Sequence, residues 1–278
     1  MLSIDQFESA FRAAAKTHFH PTAVSVERVM VITDLDKSRT DRYTDRARPL
    51  IPAPGEPEFI SVPGAESRDL EGLLARINQY QPQLIVSYRC LHSPAWRLPY
   101  TVGDHIEVLT QVTDVPVLLL PRIDTGHAAN EPLTPPRTVM AMTDHLVGDD
   151  RLVSWANHFA GKRLVLAHIE DDVAFDRIIH LISKIPELDT DLARRKLSEM
   201  MLEEARDWIG SCRRALSDQL DVIEAVLMGH RMETYRTLIA DHDVGLLVLN
   251  TKDDDQLAIH GMAWPLMIEL RHVPLLLL

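Results

Sequence analysis

No apolar run in the chain approaches the roughly 20 residues needed to cross a membrane, and Met1-Leu2-Ser3-Ile4-Asp5-Gln6 lacks a secretory signal's basic and apolar regions. The expectation is a cytoplasmic location. Cysteine is scarce: Cys90 and Cys212 stand far apart, without metal or redox spacing, and read as reduced, structurally neutral thiols. Basic residues are outnumbered 29 to 41, and the resulting net charge of -12 argues against nucleic acid and anionic membrane as general partners. A local basic pocket stays compatible with that balance. The signatures G-x-S-x-G, G-x-x-x-x-G-K-[ST] and G-x-G-x-x-G are all missing, which removes the usual grounds for naming a reaction.

What the sequence does contain is a pattern used twice. Near the carboxyl end, the apolar run Gly245-Leu246-Leu247-Val248-Leu249 leads through a polar loop to a short helix from about Trp264. Val273-Pro274-Leu275-Leu276-Leu277-Leu278 then follows. Continuous apolar runs bounded by turn residues read as strands buried on both faces, so the unit is strand, loop, helix, strand of a parallel sheet. A final strand made of leucine is expected to belong to a core. Earlier, Leu84-Ile85-Val86 leads to a helix at Gly103–Leu109 and then to Val115-Pro116-Val117-Leu118-Leu119-Leu120. In both copies a glycine stands thirteen residues before the proline of the last strand, Gly103 to Pro116 and Gly261 to Pro274. That is an internal repeat. Val29–Asp34 and Val139–Asp144 supply a second anchor, since both end in Thr-Asp.

In chain order, residues 3–16 read as an amphipathic helix and 29–34 as a strand. Residues 35–58 hold Pro49, Pro52, Pro54 and Pro57 with no helical period, and read as an extended surface connection. Phe59–Val62 reads as a strand, and Leu70, Leu73, Leu74 and Ile77 mark a helix. Linker composition over 122–136 places a boundary between a first domain, 1–121, and a second, 137–278. In the second, expected helices cover 152–159, 173–188, 191–215 and 231–241, between strands at 138–143, 163–168 and 222–227. Strands alternating with helices predict an α/β fold, with two doubly wound, Rossmann-like parallel-sheet domains in tandem.

These residues resemble the universal stress protein family, and specifically its tandem members with two such domains in one chain. The likeness is carried by Val139–Asp144 as first strand, Leu164–His168 as second, and Val248-Leu249-Asn250 through Leu278 as the last two with their loop and helix. It covers 137–278 well, apart from extra residues near 172–190. It covers 27–121 in outline, with the family's first helix, second strand and second helix expected to be missing or replaced between Asp34 and Phe59. The resemblance implies an adenine nucleotide hydrolase-like fold and a pseudo-dimer in which the two final strands pair, removing two long hydrophobic edges.

The family's nucleotide loop, G-x2-G-x9-G-[S/T], lies after the fourth strand, because phosphate needs close backbone N–H groups. The resemblance therefore implies degenerate nucleotide positions at Asp34, Arg89, Cys90, Ser93, Gly103, Asp104, Asp144 and Gly261. Counting back from Gly103 places Cys90 and Ser93 where glycines are expected; counting from the strand places Tyr88 and Leu91 there. Asp104 replaces the hydroxyl. In the second half Asp253, Asp254 and Asp255 lie where a triphosphate would, and each like-charge contact at about 4 Å costs up to about 4 kcal/mol at an effective dielectric near 20. Lys252 alone does not offset that. The first half, with Arg89, His92 and Arg97, is less hostile to an anion.

Simpler roles compete at each position. Asp34 and Asp144 can accept N–H bonds from a following loop. Asp104 with Glu107 is a helix-start pattern. Asp253–Asp255 can be a solvated loop, or a cation site. His18-Phe19-His20 and Asp241-His242-Asp243 read as loop and helix-end residues, and His145 stays unassigned. The expectation is a non-catalytic stress-response protein acting through an unidentified protein partner, with no cofactor, no metal and no ATP. The alternative is ATP binding or slow hydrolysis by the first-half loop. A scaffold using 172–190 and 191–215 is the third reading, and a homodimer is left open.

Overall fold

The computed structural model describes residues 17–53, 55–94, 100–121, 133–142, 146–216, 218–252 and 263–278. The expected helix 3–16 and most of the linker lie outside them. The described strands form one nine-stranded sheet, in the order β2-β1-β3-β4-β9-β8-β5-β6-β7. On the first side these are β1 (Arg28–Ile32), β2 (Glu58–Val62), β3 (Leu84–Tyr88) and β4 (Val117–Leu120). On the second they are β5 (Thr138–Met142), β6 (Arg163–Asp171), β7 (Asp221–Gly229), β8 (Leu246–Leu249) and β9 (Leu275–Leu277).

Neighbouring strands run parallel with one exception. β4 and β9 are antiparallel, with Val117 opposite Leu277, Leu118 opposite Leu276 and Leu119 opposite Leu275. β1, β3, β4, β5, β8 and β9 are almost wholly buried and made mostly of Val, Leu, Ile, Met and Ala, as strands covered on both faces must be. The core is continuous across the β4–β9 seam.

The helices are α1 (Lys37–Ala47), α2 (Gly64–Ser67), α3 (Leu70–Tyr80), α4 (Asp104–Val112), α5 (Asp150–Phe159), α6 (Asp172–Ile182), α7 (Thr190–Ala215), α8 (Arg231–Asp241) and α9 (Ala263–Glu269). Aspartates start many of them. Asp36, Asp69, Asp149, Asp171 and Asp189 each accept a backbone N–H of the following first turn. None of the described helices is long and apolar enough to cross a membrane.

Residues 35–58 are not an extended connection. They hold α1 and a short 3-10 turn at Arg48–Leu50. The buried face of α1 is Thr40, Tyr43, Thr44 and Ala47, a helical i, i+3, i+4, i+7 set made without Leu, Ile or Val. Its two threonine hydroxyls are satisfied inside, Thr40 Oγ1 lying 2.7 Å from Thr33 Oγ1 and Thr44 Oγ1 2.9 Å from Ser61 Oγ, whereas the buried Tyr43 hydroxyl has no hydrogen-bond partner among the described residues. The helix after the first strand and the second strand are thus present. What the described first half lacks, against the second, is an outer strand matching β7 and a long helix matching α7.

Other corrections are smaller. α6 ends at Ile182, well before Leu188. Gly103 takes the cap position of α4, with Asp104 inside the first turn. Residues 19–22 cross to the other half: Phe19 N–H donates to Ser211 Oγ at 2.9 Å, its ring meets Trp208 edge-on at 5.9 Å, and Thr22 N–H donates to Ser154 Oγ at 3.0 Å.

Candidate functional site

The carboxyl tips of β1 and β3 carry most of the described polar positions singled out from the sequence. Asp34 follows β1 and is engaged there: its Oδ1 accepts from the Tyr88 hydroxyl, its Oδ2 accepts the His92 N–H at 3.3 Å, and its own N–H donates to Tyr88 Oη at 3.1 Å. Tyr88, the last residue of β3, is 2% exposed and is met edge-on by Tyr43 of α1 at 5.5 Å. Burial raises the Tyr43 hydroxyl pKa.

Behind this pair, Ser67 Oγ donates to Thr33 O at 2.7 Å and lies 2.8 Å from His92 Nε2. Because Ser67 gives its only proton to the carbonyl, His92 must donate from Nε2. That polarity is the reverse of a nucleophile and its general base, and Ser67 is fully buried. His105 Nε2 donates to Arg68 O at 3.2 Å, and the His92 and His105 rings lie 5.0 Å apart. Burial holds His92 below the usual imidazole range; His105 and Arg68 push the same way, and Asp34 opposes them.

Several described N–H groups of the loop after β3 bond within the protein. Cys90 N–H donates to Val102 O at 2.7 Å, Ser93 N–H to Cys90 O at 3.3 Å, and Gly103 N–H to Thr101 Oγ1 at 2.9 Å. Gly103 has φ 94°, and a Cβ there would stand 2.8 Å from Cys90 Cα. Its lack of a side chain serves a close approach of two backbones. Cys90 and His92 themselves have left-handed φ values of 58° and 55°. Cys90 and Cys212 are both free and buried, and burial pushes the Cys212 thiol up to about 12.

Arg89 points away from that cluster. Its guanidinium crosses the seam to the end of α9, donating from Nη2 to Leu270 O at 2.8 Å and from Nη1 to Met267 O. Burial brings its pKa down to about 10. Lys252 crosses in the opposite sense: Nζ donates to Thr113 O, at the end of α4, at 2.9 Å, with Asp114 at 3.6 Å. Each half's loop cation therefore sits at the negative end of the other half's last helix.

On the second side, Asn250 Nδ2 donates to Asp149 Oδ2 at 2.6 Å, and Thr251 Oγ1 donates to Leu278 O at 2.9 Å. Burial raises the Asp149 carboxyl pKa, against the bonds from Leu152 N–H and Asn250. Asp144, Gly261, His145, Arg97 and Asp253–Asp255 lie outside the described residues. Among the described residues no group of three or more His, Cys, Asp or Glu side chains is placed to hold a metal ion.

The sequence reading named Asp34, Cys90, Ser93, Gly103 and Asp104, and the structure brings these to one tip. Nothing in the sequence marks Ser67 or His105, and Tyr88 enters only when the loop is counted from the strand. A bulky Tyr in a loop alignment that calls for glycine was the available signal for Tyr88.

No protein-family model matches the chain, and no curated protein does. Solved structures do match. A functionally unknown protein from Pseudomonas aeruginosa PAO1 shares 12% identity over 91% of this chain and 92% of that one, with a TM-score of 0.48. A protein described as a candidate universal stress protein, from Pseudomonas aeruginosa UCBPP-PA14, shares 13% over 76% and 68%, with a TM-score of 0.44. A universal stress protein from Archaeoglobus fulgidus DSM 4304 shares 12% over 81% and 67%, with a TM-score of 0.42. Likeness at this level assigns no activity to the tip described above.

Proposed function

We propose that the chain is a tandem protein of the universal stress type, two doubly wound units closed into an internal pseudo-dimer, which acts through protein interaction without ATP. The tandem reading is supported by the antiparallel β4–β9 pair, which is symmetric about Leu118 and Leu276, and by the matched crossing of Arg89 and Lys252. The ATP-independent reading is carried by one observation. The first-half tip, where phosphate would need bare N–H groups and an adenine the Asp34 carboxylate, is filled by Tyr88 and His92, and its cation is turned toward α9.

A protein partner is favoured by the outer side of the second half. Ile178 and Leu181 on α6, with Ile185 just beyond, are exposed large apolar residues, as is Leu227 on the edge strand β7. Calorimetric titration with MgATP to millimolar concentration tests the main claim. No saturable heat is expected, and a one-site isotherm lost in Tyr88→Trp would defeat it.

A further inference from the structure

The β4–β9 seam is not covered evenly. On one face it holds an open pocket of about 380 Å³, a size that suits a small molecule. Leu118 and Leu120 of β4, Leu246 of β8, Pro274, Leu50 and Phe159 at the end of α5 supply its apolar lining. Every one of these is apolar, and they come from both halves. The lip is residues 133–137, and it is pinned in place. Leu133 N–H donates to Arg46 O at 3.2 Å, a Cβ on Gly245 would stand 3.1 Å from Pro136 Cβ, and one on Gly161 would stand 2.9 Å from Pro136 O. Glycine at 161 and 245 lets the lip press against the second half, so the pocket is preformed.

Three ionisable residues line the mouth, Arg137, His272 and Asp243, and all three are exposed. We infer that this pocket binds a small apolar carboxylic acid, its tail on the leucines and its head at Arg137 and His272. An apolar floor with one permanently charged guanidinium at the mouth selects a tail with one anionic head. Asp243 at the same mouth repels a second negative charge, which favours a carboxylate over a phosphate monoester. The site lies on the seam, shares no lining residue with the Asp34–Tyr88 cluster, and does not depend on whether ATP binds.

Decanoate titrated into the full-length chain, followed by calorimetry, tests it. Saturable one-to-one binding is expected, with Arg137→Gln at least fivefold weaker and decanol and decyl phosphate each weaker than decanoate. Thr134→Trp, at an exposed lip position, fills the pocket and should abolish binding, with circular dichroism confirming that the variant is folded. Absence of saturable binding, binding unchanged by Thr134→Trp, or equal affinity for decanol with no effect of Arg137→Gln would each overturn the site or its head group. Tighter binding of decyl phosphate than of decanoate would overturn the carboxylate assignment.

Discussion

The loops after β3 and β8 hold their cations differently. Arg89 is buried and makes two bonds to the end of α9, whereas Lys252 is partly exposed and makes one to the end of α4. A buried guanidinium has lost its water and depends on those carbonyls; a partly solvated ammonium keeps much of its hydration. The same crossing is therefore structural on the first side and marginal on the second. The two tips differ in charge as well. The first is closed by Tyr88 and by imidazoles, while Asn250 reaches back to a partly buried carboxylate at Asp149 on the second.

The comparison breaks most sharply at Arg89. Arg89→Met should lower the unfolding free energy by roughly 2–3 kcal/mol, read by urea titration, since charge-assisted bonds to buried carbonyls are lost. An effect as small as that of a surface change would mean that the crossing is ornamental. Gly103→Ala comes next, at about 2 kcal/mol, because the new Cβ meets Cys90 Cα and the residue must hold a left-handed φ. Cys90→Ala leaves that backbone contact intact and should not reproduce the loss. Lys252→Met should cost less than about 1 kcal/mol, and equality with Arg89→Met would remove the asymmetry between the two loops.

The smallest effects lie in pH dependence, and the two tips have opposite signs. His92 is held low, so the unfolded chain binds its proton more readily. Its contribution is present above the ordinary imidazole value and is lost as pH falls through the depressed one. His158, also lowered by burial, adds a slope of the same sign. Asp149 is raised, so its contribution is present below the ordinary carboxyl value and is lost as pH rises through the raised one. His92→Gln should flatten the stability profile just below neutrality, and Asp149→Asn should flatten it in the acidic range. Unfolding midpoints measured across pH check both, and a common sign would collapse the contrast.

Much of the architecture was legible because burial on both faces leaves a mark. Leu84–Val86, Val117–Leu120, Leu246–Leu249 and Leu275–Leu277 are apolar runs that no surface loop would carry, and each is a strand. Helix α1 was not legible, because its inner face is Thr40, Tyr43, Thr44 and Ala47, and a hydroxyl that bonds another hydroxyl inside the core looks polar in a linear reading. The spacing of Gly103 in the sequence points to phosphate, whereas its neighbour across the gap is the Cys90 backbone.

The amino-acid order alone determined which segments become buried strands and that the pattern occurs twice, since apolar runs and turn residues act locally. Only the tertiary structure decided where charge and hydroxyl groups point. Arg89 finds its acceptors some 180 positions away at Met267 and Leu270. Asp34 finds Tyr88 and His92 because parallel strands bring tips together that the chain keeps far apart. A polar side chain is satisfied by whatever donor or acceptor folding places within about 3 Å of it, and no linear spacing encodes that meeting.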